Sequence, residues 1–228
     1  MLAPLSLLLL SLPASAGPCE DLADGVQRDR LEASLEALTG ETDIDVGDGL
    51  QRLRSRHVEH PDHDPAQRWV LRAFEQAGLE AVLEPFAVDG LPPLANVVAR
   101  LPGDPSPVCV SAHFDSTGKA SPGWDAALDD APGADDDASG IAALLEAARV
   151  LGGWAPGFET SLCFLAFDAE EQGLHGSRHH AQALDADGVE RVINLDPVGF
   201  NAGGVGNLWA TFDARWEDLA TDMEASGE

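Results

Sequence analysis

The sequence predicts an α/β fold: a three-layer sandwich in which a mostly parallel, twisted central sheet lies between helices on both faces. Three observations predict it. Apolar runs and amphipathic helical stretches alternate from residue 107 onward. Two of the runs, residues 107–112 and 161–167, are almost wholly apolar, the mark of strands covered on both faces. Each run ends in a polar cluster, His113-Phe114-Asp115 after the first and Asp168-Ala169-Glu170-Glu171 after the second.

The elements follow in order. Residues 21–38 place Leu22, Val26, Leu31, Leu35 and Leu38 at helical spacing, and Gly40 stops the helix. Residues 50–58 read as a short basic helical piece. Pro61-Asp62-His63-Asp64-Pro65 is a turn, and Asp64 or Pro65 starts a helix running to about Ala77, which Gly78 ends. His57, His60 and His63 straddle that turn and read as surface histidines. Residues 79–88 alternate like a strand, Gly90-Leu91-Pro92-Pro93 turns the chain, and residues 95–101 form the next strand. After strand 107–112 come a helix over 140–151, strand 161–167, a helix over 176–184 and a strand over 191–195 that ends in Asp196. A fourth strand at 207–212 and a final helix at 213–225, with Trp216, Leu219, Ala220 and Met223 inward, complete the expectation.

Length and composition set bounds. A chain of 228 residues, 44% hydrophobic and 23% charged, suits one α/β domain with a real core. Its formal net charge is −27, and Lys119 is its one lysine. Such a field excludes nucleic acid and anionic membranes as partners and favours cations, metal ions and free amino termini among them. Residues 1–17 resemble an export signal: an apolar run over 5–12 broken by Ser6 and Ser11, then the small-residue site Ala14-Ser15-Ala16. That predicts a secreted or periplasmic protein whose mature domain spans residues 18–228. Three cysteines are too few for a disulfide scaffold; Cys109 and Cys163 sit in apolar runs as buried small residues, with a pairing between them open.

The chemistry gathers around Ala-Pro-Gly-Ala-Asp135-Asp136-Asp137-Ala-Ser-Gly, between the two apolar strands. Three adjacent carboxylates repel one another and need solvent, a helix N-terminus or a cation to offset them. In a parallel sheet the carboxyl ends of the strands share one edge, so His113, Asp115, the triplet, Glu170, Glu171 and Asp196 converge there. A convergence of carboxylates with one imidazole and no thiolate suits zinc, manganese or cobalt. Asp136 is the natural bridge should two ions bind, and Asp115 is placed to orient the second ring nitrogen of His113. Of Glu170 and Glu171, one can bind metal while the other serves as general base.

Four motifs stand in order: Ser-Ala-His113-Phe-Asp115-Ser-Thr-Gly, the aspartate triplet with its flanks, Ala-Glu170-Glu171-Gln-Gly-Leu-His-Gly-Ser and Asn-Leu-Asp196. Together they resemble the secreted zinc aminopeptidases of metallopeptidase family twenty-eight, the bacterial leucyl aminopeptidase type, from about Asn96 to Gly199. The resemblance implies a zinc exopeptidase acting on peptides with a free N-terminus, and a monomer is expected. It implies two zinc ions, with Asp136 bridging, His113 and Asp196 completing one site and Glu171 in the other. It makes Glu170 the proton shuttle and Asp115 the partner that orients His113. It departs at one point. Family members supply a further histidine from a later loop, whereas His180 is the last histidine here. His175, His179 and His180 read as surface or helix-face residues and are poor substitutes. Two further readings therefore stay open beside the exopeptidase: a catalytically impaired metal-binding fragment, and an acyltransferase like the glutaminyl cyclases.

Overall fold

Alternation along the strands decides where the core lies. In the computed structural model, which describes residues 18–155, 157–183 and 191–200, the chain forms α1 (Pro18–Ala23), α2 (Arg28–Leu38), β1 (Ile44–Asp45), β2 (Leu50–Gln51), α3 (His63–Gln76), β3 (Glu80–Phe86), β4 (Leu94–Leu101), β5 (Asp104–His113), α4 (Gly140–Gly152), β6 (Thr160–Phe167), α5 (His175–Ala183) and β7 (Arg191–Asn194). Five of the strands make one sheet in the order β3-β4-β6-β5-β7. Val97, Ala99, Ala112, Phe164 and Ala166 turn to one face. There they pack against Val70 and Phe74 of α3 and Ile141, Leu144 and Ala148 of α4, with Leu38 of α2. The alternate residues Val98, Cys109, Cys163 and Leu165 form a separate cluster on the other face, where Phe167 meets His180 of α5. Each fully buried side chain of this size contributes about 1.5–3 kcal/mol. The three-layer α/β architecture is thus present, and a second sheet is only the β1–β2 pair.

The large sheet is mixed. β5 pairs in parallel with β6 and with β7, as the alternation from residue 107 predicts. β4 is antiparallel to both β3 and β6. The hairpin turn at residues 90–93 accounts for the first antiparallel pair, because a short connection can only reverse the chain. The second follows from the path into β5. The Pro102-Gly103 link crosses the start of β6, and a Cβ on Gly103 would lie 2.6 Å from the backbone of Thr160 and Ser161. Glycine allows that crossing, so β6 later inserts between β4 and β5.

Several expectations need correction. The helix over 21–38 is two helices, α1 and α2, separated by Asp24-Gly25-Val26-Gln27. Residues 50–58 are not helical. Their backbone pairs elsewhere: β2 with β1, and Ser55 with Ala131, whose N–H donates to the Arg54 carbonyl at 3.0 Å. His57, His60 and His63 are buried, not on the surface, and so is His180, which donates to Glu84 at 2.9 Å. Cys109 and Cys163 are buried and joined as a disulfide across β5 and β6. The expected signal segment at 1–17, the strand at 207–212 and the helix at 213–225 lie outside the described residues. Among those described, no helix is long and apolar enough to cross a membrane.

His63 shows why burial of a polar residue is tolerated here. Its Nε2 donates to Asp168 Oδ1 at 2.8 Å, while Asp168 Oδ2 accepts the Ala95 N–H at 3.1 Å. Burial alone would lower the His63 pKa; the hydrogen bond and charge of Asp168 outweigh it and raise it. The pair ties α3 to the end of β6, one turn before Glu170 and Glu171. Removing one partner leaves the other buried and unpaired, so His63→Ala should cost about 3 kcal/mol of stability, measured by urea unfolding.

Candidate metal centre

The sheet presents its carboxyl edge as a crevice. After β5 the chain leaves toward α4 on one face; after β6 it leaves toward α5 on the other. Adjacent parallel strands whose connections diverge in this way open a gap at their C-terminal ends. His113 is the last residue of β5, Glu170 and Glu171 follow β6, and Asp196 follows β7.

The aspartate triplet enters this crevice on a wide helical turn, residues 134–139, that leads into α4. Gly133 sets its approach with φ +49°, and a Cβ there would press on the Asp136 carbonyl and on Ser116. The three side chains then diverge. Asp135 Oδ1 accepts the N–H groups of Gly199 and Phe200, each at 2.9 Å. Asp137 is buried; its Oδ2 accepts the His113 N–H at 3.1 Å and its Oδ1 accepts the Gly140 N–H at 2.9 Å, capping α4. Burial pushes the Asp137 pKa up to about 7, against the pull of His113. Asp136 alone projects toward the imidazole, with Oδ1 2.9 Å from His113 Nε2.

His113 is held from both sides. Its Nδ1 donates to the Asp115 carbonyl at 3.1 Å and lies 3.4 Å from Asp115 Oδ1; its Nε2 is 3.7 Å from Asp196 Oδ1. Burial disfavours the imidazolium, yet Asp115, Asp137 and Asp196 together raise its pKa to about 10. His113, Asp136 and Asp196 each offer one ligand atom, and these atoms all lie within 4.8 Å of one another. One imidazole and two carboxylates at that spacing fit zinc, and three protein ligands leave a position open for water or substrate.

Asp115 organises the neighbouring turn. It is fully buried, and its carboxylate accepts the Glu170 N–H at 2.9 Å and the Glu171 N–H at 3.1 Å. Burial works against its charge, but His113 and these two N–H groups hold its pKa below the ordinary value. Glu170 opens, with His113 and Asp196, onto a cavity of about 320 Å³ whose walls include Leu165, Phe167 and Val192. Burial raises the Glu170 pKa; His113 opposes this, and Asp115, Asp196 and Glu171 add to the rise. Glu171 stands apart from the three-residue cluster, and its Oε2 accepts from Lys119 Nζ at 2.7 Å.

Of the six residues singled out from the sequence, the fold therefore gathers His113, Asp136 and Asp196 at one point, with Asp115 and Glu170 beside them. Asp137 was placed at this edge with the triplet, but its task of holding the His113 and Gly140 N–H groups was not assigned. Arg56, buried beneath the acidic loop, escaped the sequence reading and carried no signal.

Residues 96–225 match the model for peptidase family M28. The chain is 32% identical over 216 residues to a Pyricularia oryzae protein named “Probable zinc metalloprotease”, covering 83% of this chain and 42% of that protein. It is 32% identical over 171 residues to Leucine aminopeptidase 1 of Trichoderma harzianum, covering 68% of this chain and 41% of that one. It therefore spans less than half the length of either relative. Among solved structures, LapB from Legionella pneumophila aligns with a TM-score of 0.66 at 22% identity, over 83% of this chain and 48% of its own. Porphyromonas gingivalis glutaminyl cyclase aligns with a TM-score of 0.63 at 20% identity, over 87% and 68%. At these identities the two structures speak for the fold alone.

The division of labour within the triplet is testable by zinc titration of the metal-free protein. Asp136→Asn should weaken zinc binding by about 10-fold or more, the scale of loss when even a supporting group of a metal site is removed. Asp135→Asn, whose carboxylate holds backbone N–H groups instead, should leave it within about twofold.

Proposed function

The chain belongs to peptidase family M28, and from that premise we propose that it is a zinc-dependent exopeptidase that hydrolyses the N-terminal peptide bond of peptides. The observation that carries the reading is the meeting of His113, Asp136 and Asp196 ligand atoms within 4.8 Å at the carboxyl edge of the sheet. Glu170 faces the same cavity. His113, Asp136 and Asp196 would hold one zinc ion, and Glu171, with Asp136, would contribute to a second. Bound zinc supplies an acidified water and a polarised scissile carbonyl.

The side chains divide the remaining tasks. Glu170 takes a proton from the attacking water and delivers it to the departing amine. Its raised pKa suits a group that must both accept and return a proton. Asp115 acts through others: it orients the His113 ring and, through two backbone N–H groups, fixes the turn that carries Glu170 and Glu171. The net charge of −27 favours a substrate with a free ammonium group over nucleic acid or an anionic membrane. We place the protein outside the cytoplasm, secreted or periplasmic, and acting as a monomer. The apolar run and small-residue site within residues 1–17 support export, and the Cys109–Cys163 disulfide suits an oxidising compartment.

The glutaminyl cyclase reading draws on likeness of fold, and one comparison separates it from peptidase action: leucine p-nitroanilide against a peptide with N-terminal glutamine. Glu170→Gln should lower kcat on the anilide by about 10²–10⁴-fold while zinc stoichiometry is unchanged. A variant that keeps most of its activity and its metal removes Glu170 from the mechanism.

A further inference from the structure

Arg56 is wholly buried, and its guanidinium touches no carboxylate. Its Nε donates to the Phe114 carbonyl at 2.6 Å. Its Nη1 donates to the carbonyls of Leu38 at 2.7 Å and Pro132 at 2.6 Å, and its Nη2 to that of Gly133 at 3.0 Å. The Arg56 N–H donates to Ser116 Oγ at 3.0 Å, and that hydroxyl donates to the Ala131 carbonyl at 2.7 Å. The acceptors are not scattered. Phe114 lies between His113 and Asp115. Ala131, Pro132 and Gly133 open the loop that carries Asp136 and Asp137. One planar fork thus joins the two segments whose separation sets the distance from His113 Nε2 to Asp136 Oδ1.

The charge matters as well as the bonds. A buried cation with only neutral contacts costs several kcal/mol unless nearby anions offset it. The anions whose charges favour the Arg56 cation are Asp115, Asp137 and Asp136, in that order. By symmetry, Arg56 offsets their mutual repulsion. A clamp that only fastened α2 to the core would need the Leu38 bond and nothing of this field.

We propose that Arg56 is a positioning residue of the metal centre, holding the acidic loop against the end of β5 so that Asp136 and His113 are in place before zinc arrives. The proposal deepens the metallopeptidase reading and rests on it. It makes Arg56 a determinant of zinc affinity, although it reaches neither zinc nor substrate.

Arg56→Lys tests this in the full chain, because lysine keeps the charge and loses the fork. Zinc binding is read as the dissociation constant of the metal-free protein by calorimetry and as the rise in melting temperature on adding saturating zinc, and catalysis as kcat and KM. The expected result is a folded protein by circular dichroism whose zinc affinity is weaker by tenfold or more. Its zinc-induced rise in melting temperature should shrink accordingly, and kcat on leucine p-nitroanilide should fall with KM within twofold. A variant with a lower metal-free melting temperature but wild-type zinc affinity makes Arg56 a structural clamp only and overturns the proposal. Should Arg56→Lys fail to fold, Ser116→Ala loosens the same joint, and the same loss of zinc affinity, smaller in size, is required of it. A wild-type chain with no zinc-induced rise overturns the metal reading itself, so the two failures are told apart.

Discussion

Carboxylates crowd one end of the sheet, and the imidazole of His113, on which they converge, is what the rest of the site depends on. Asp136 and Asp196 meet the imidazole at Nε2, and the Asp115 carbonyl meets it at Nδ1. Burial should strip the ring of its proton, yet the surrounding anions hold it with a pKa raised to about 10. The same crowding of carboxylates around one imidazole suits a divalent ion. A divalent ion held by His113, Asp136 and Asp196 would offset the repulsion of these carboxylates, with the His113 ring nitrogen as one ligand.

That balance needs rigid supports, and the fold supplies them from several directions. Asp137 turns its carboxylate away from its two neighbours to hold the N–H of His113 and the start of α4, so the helix dipole absorbs part of the repulsion. Asp115 spans the crevice from β5 to the glutamate turn after β6. His63 and Asp168 fasten that turn to α3. Arg56 brings the segment after β2 under the acidic loop. Residues from the first third of the chain therefore hold a site whose candidate ligands lie between residues 113 and 196.

Much of this was legible in the residues. The apolar runs at 107–112 and 161–167 marked buried strands because only strands covered on both faces tolerate such runs. Their polar ends marked the carboxyl edge, and His113, Asp136 and Asp196 do meet there. The region 50–58 was misread because its backbone finds partners in Ala131 and β1 rather than within itself. His57, His60 and His63 were misread because local spacing says nothing about what folds over a turn. Glu171 and Lys119 pair across a gap of 52 residues, which spacing along the chain does not record.

What the amino-acid order determined by itself was therefore the set of elements, the chemistry available and the edge on which it gathers. Hydrophobic periodicity and donor type act locally, and a local reading recovers them. What only the tertiary structure decided was the assignment of each carboxylate: which of three consecutive aspartates faces the imidazole, which caps a helix and which holds the loop at Gly199. Direction depends on backbone angles at Gly133 and on N–H groups brought from distant strands. Side chains adjacent in sequence can be sent to different partners only once those partners have been packed into place.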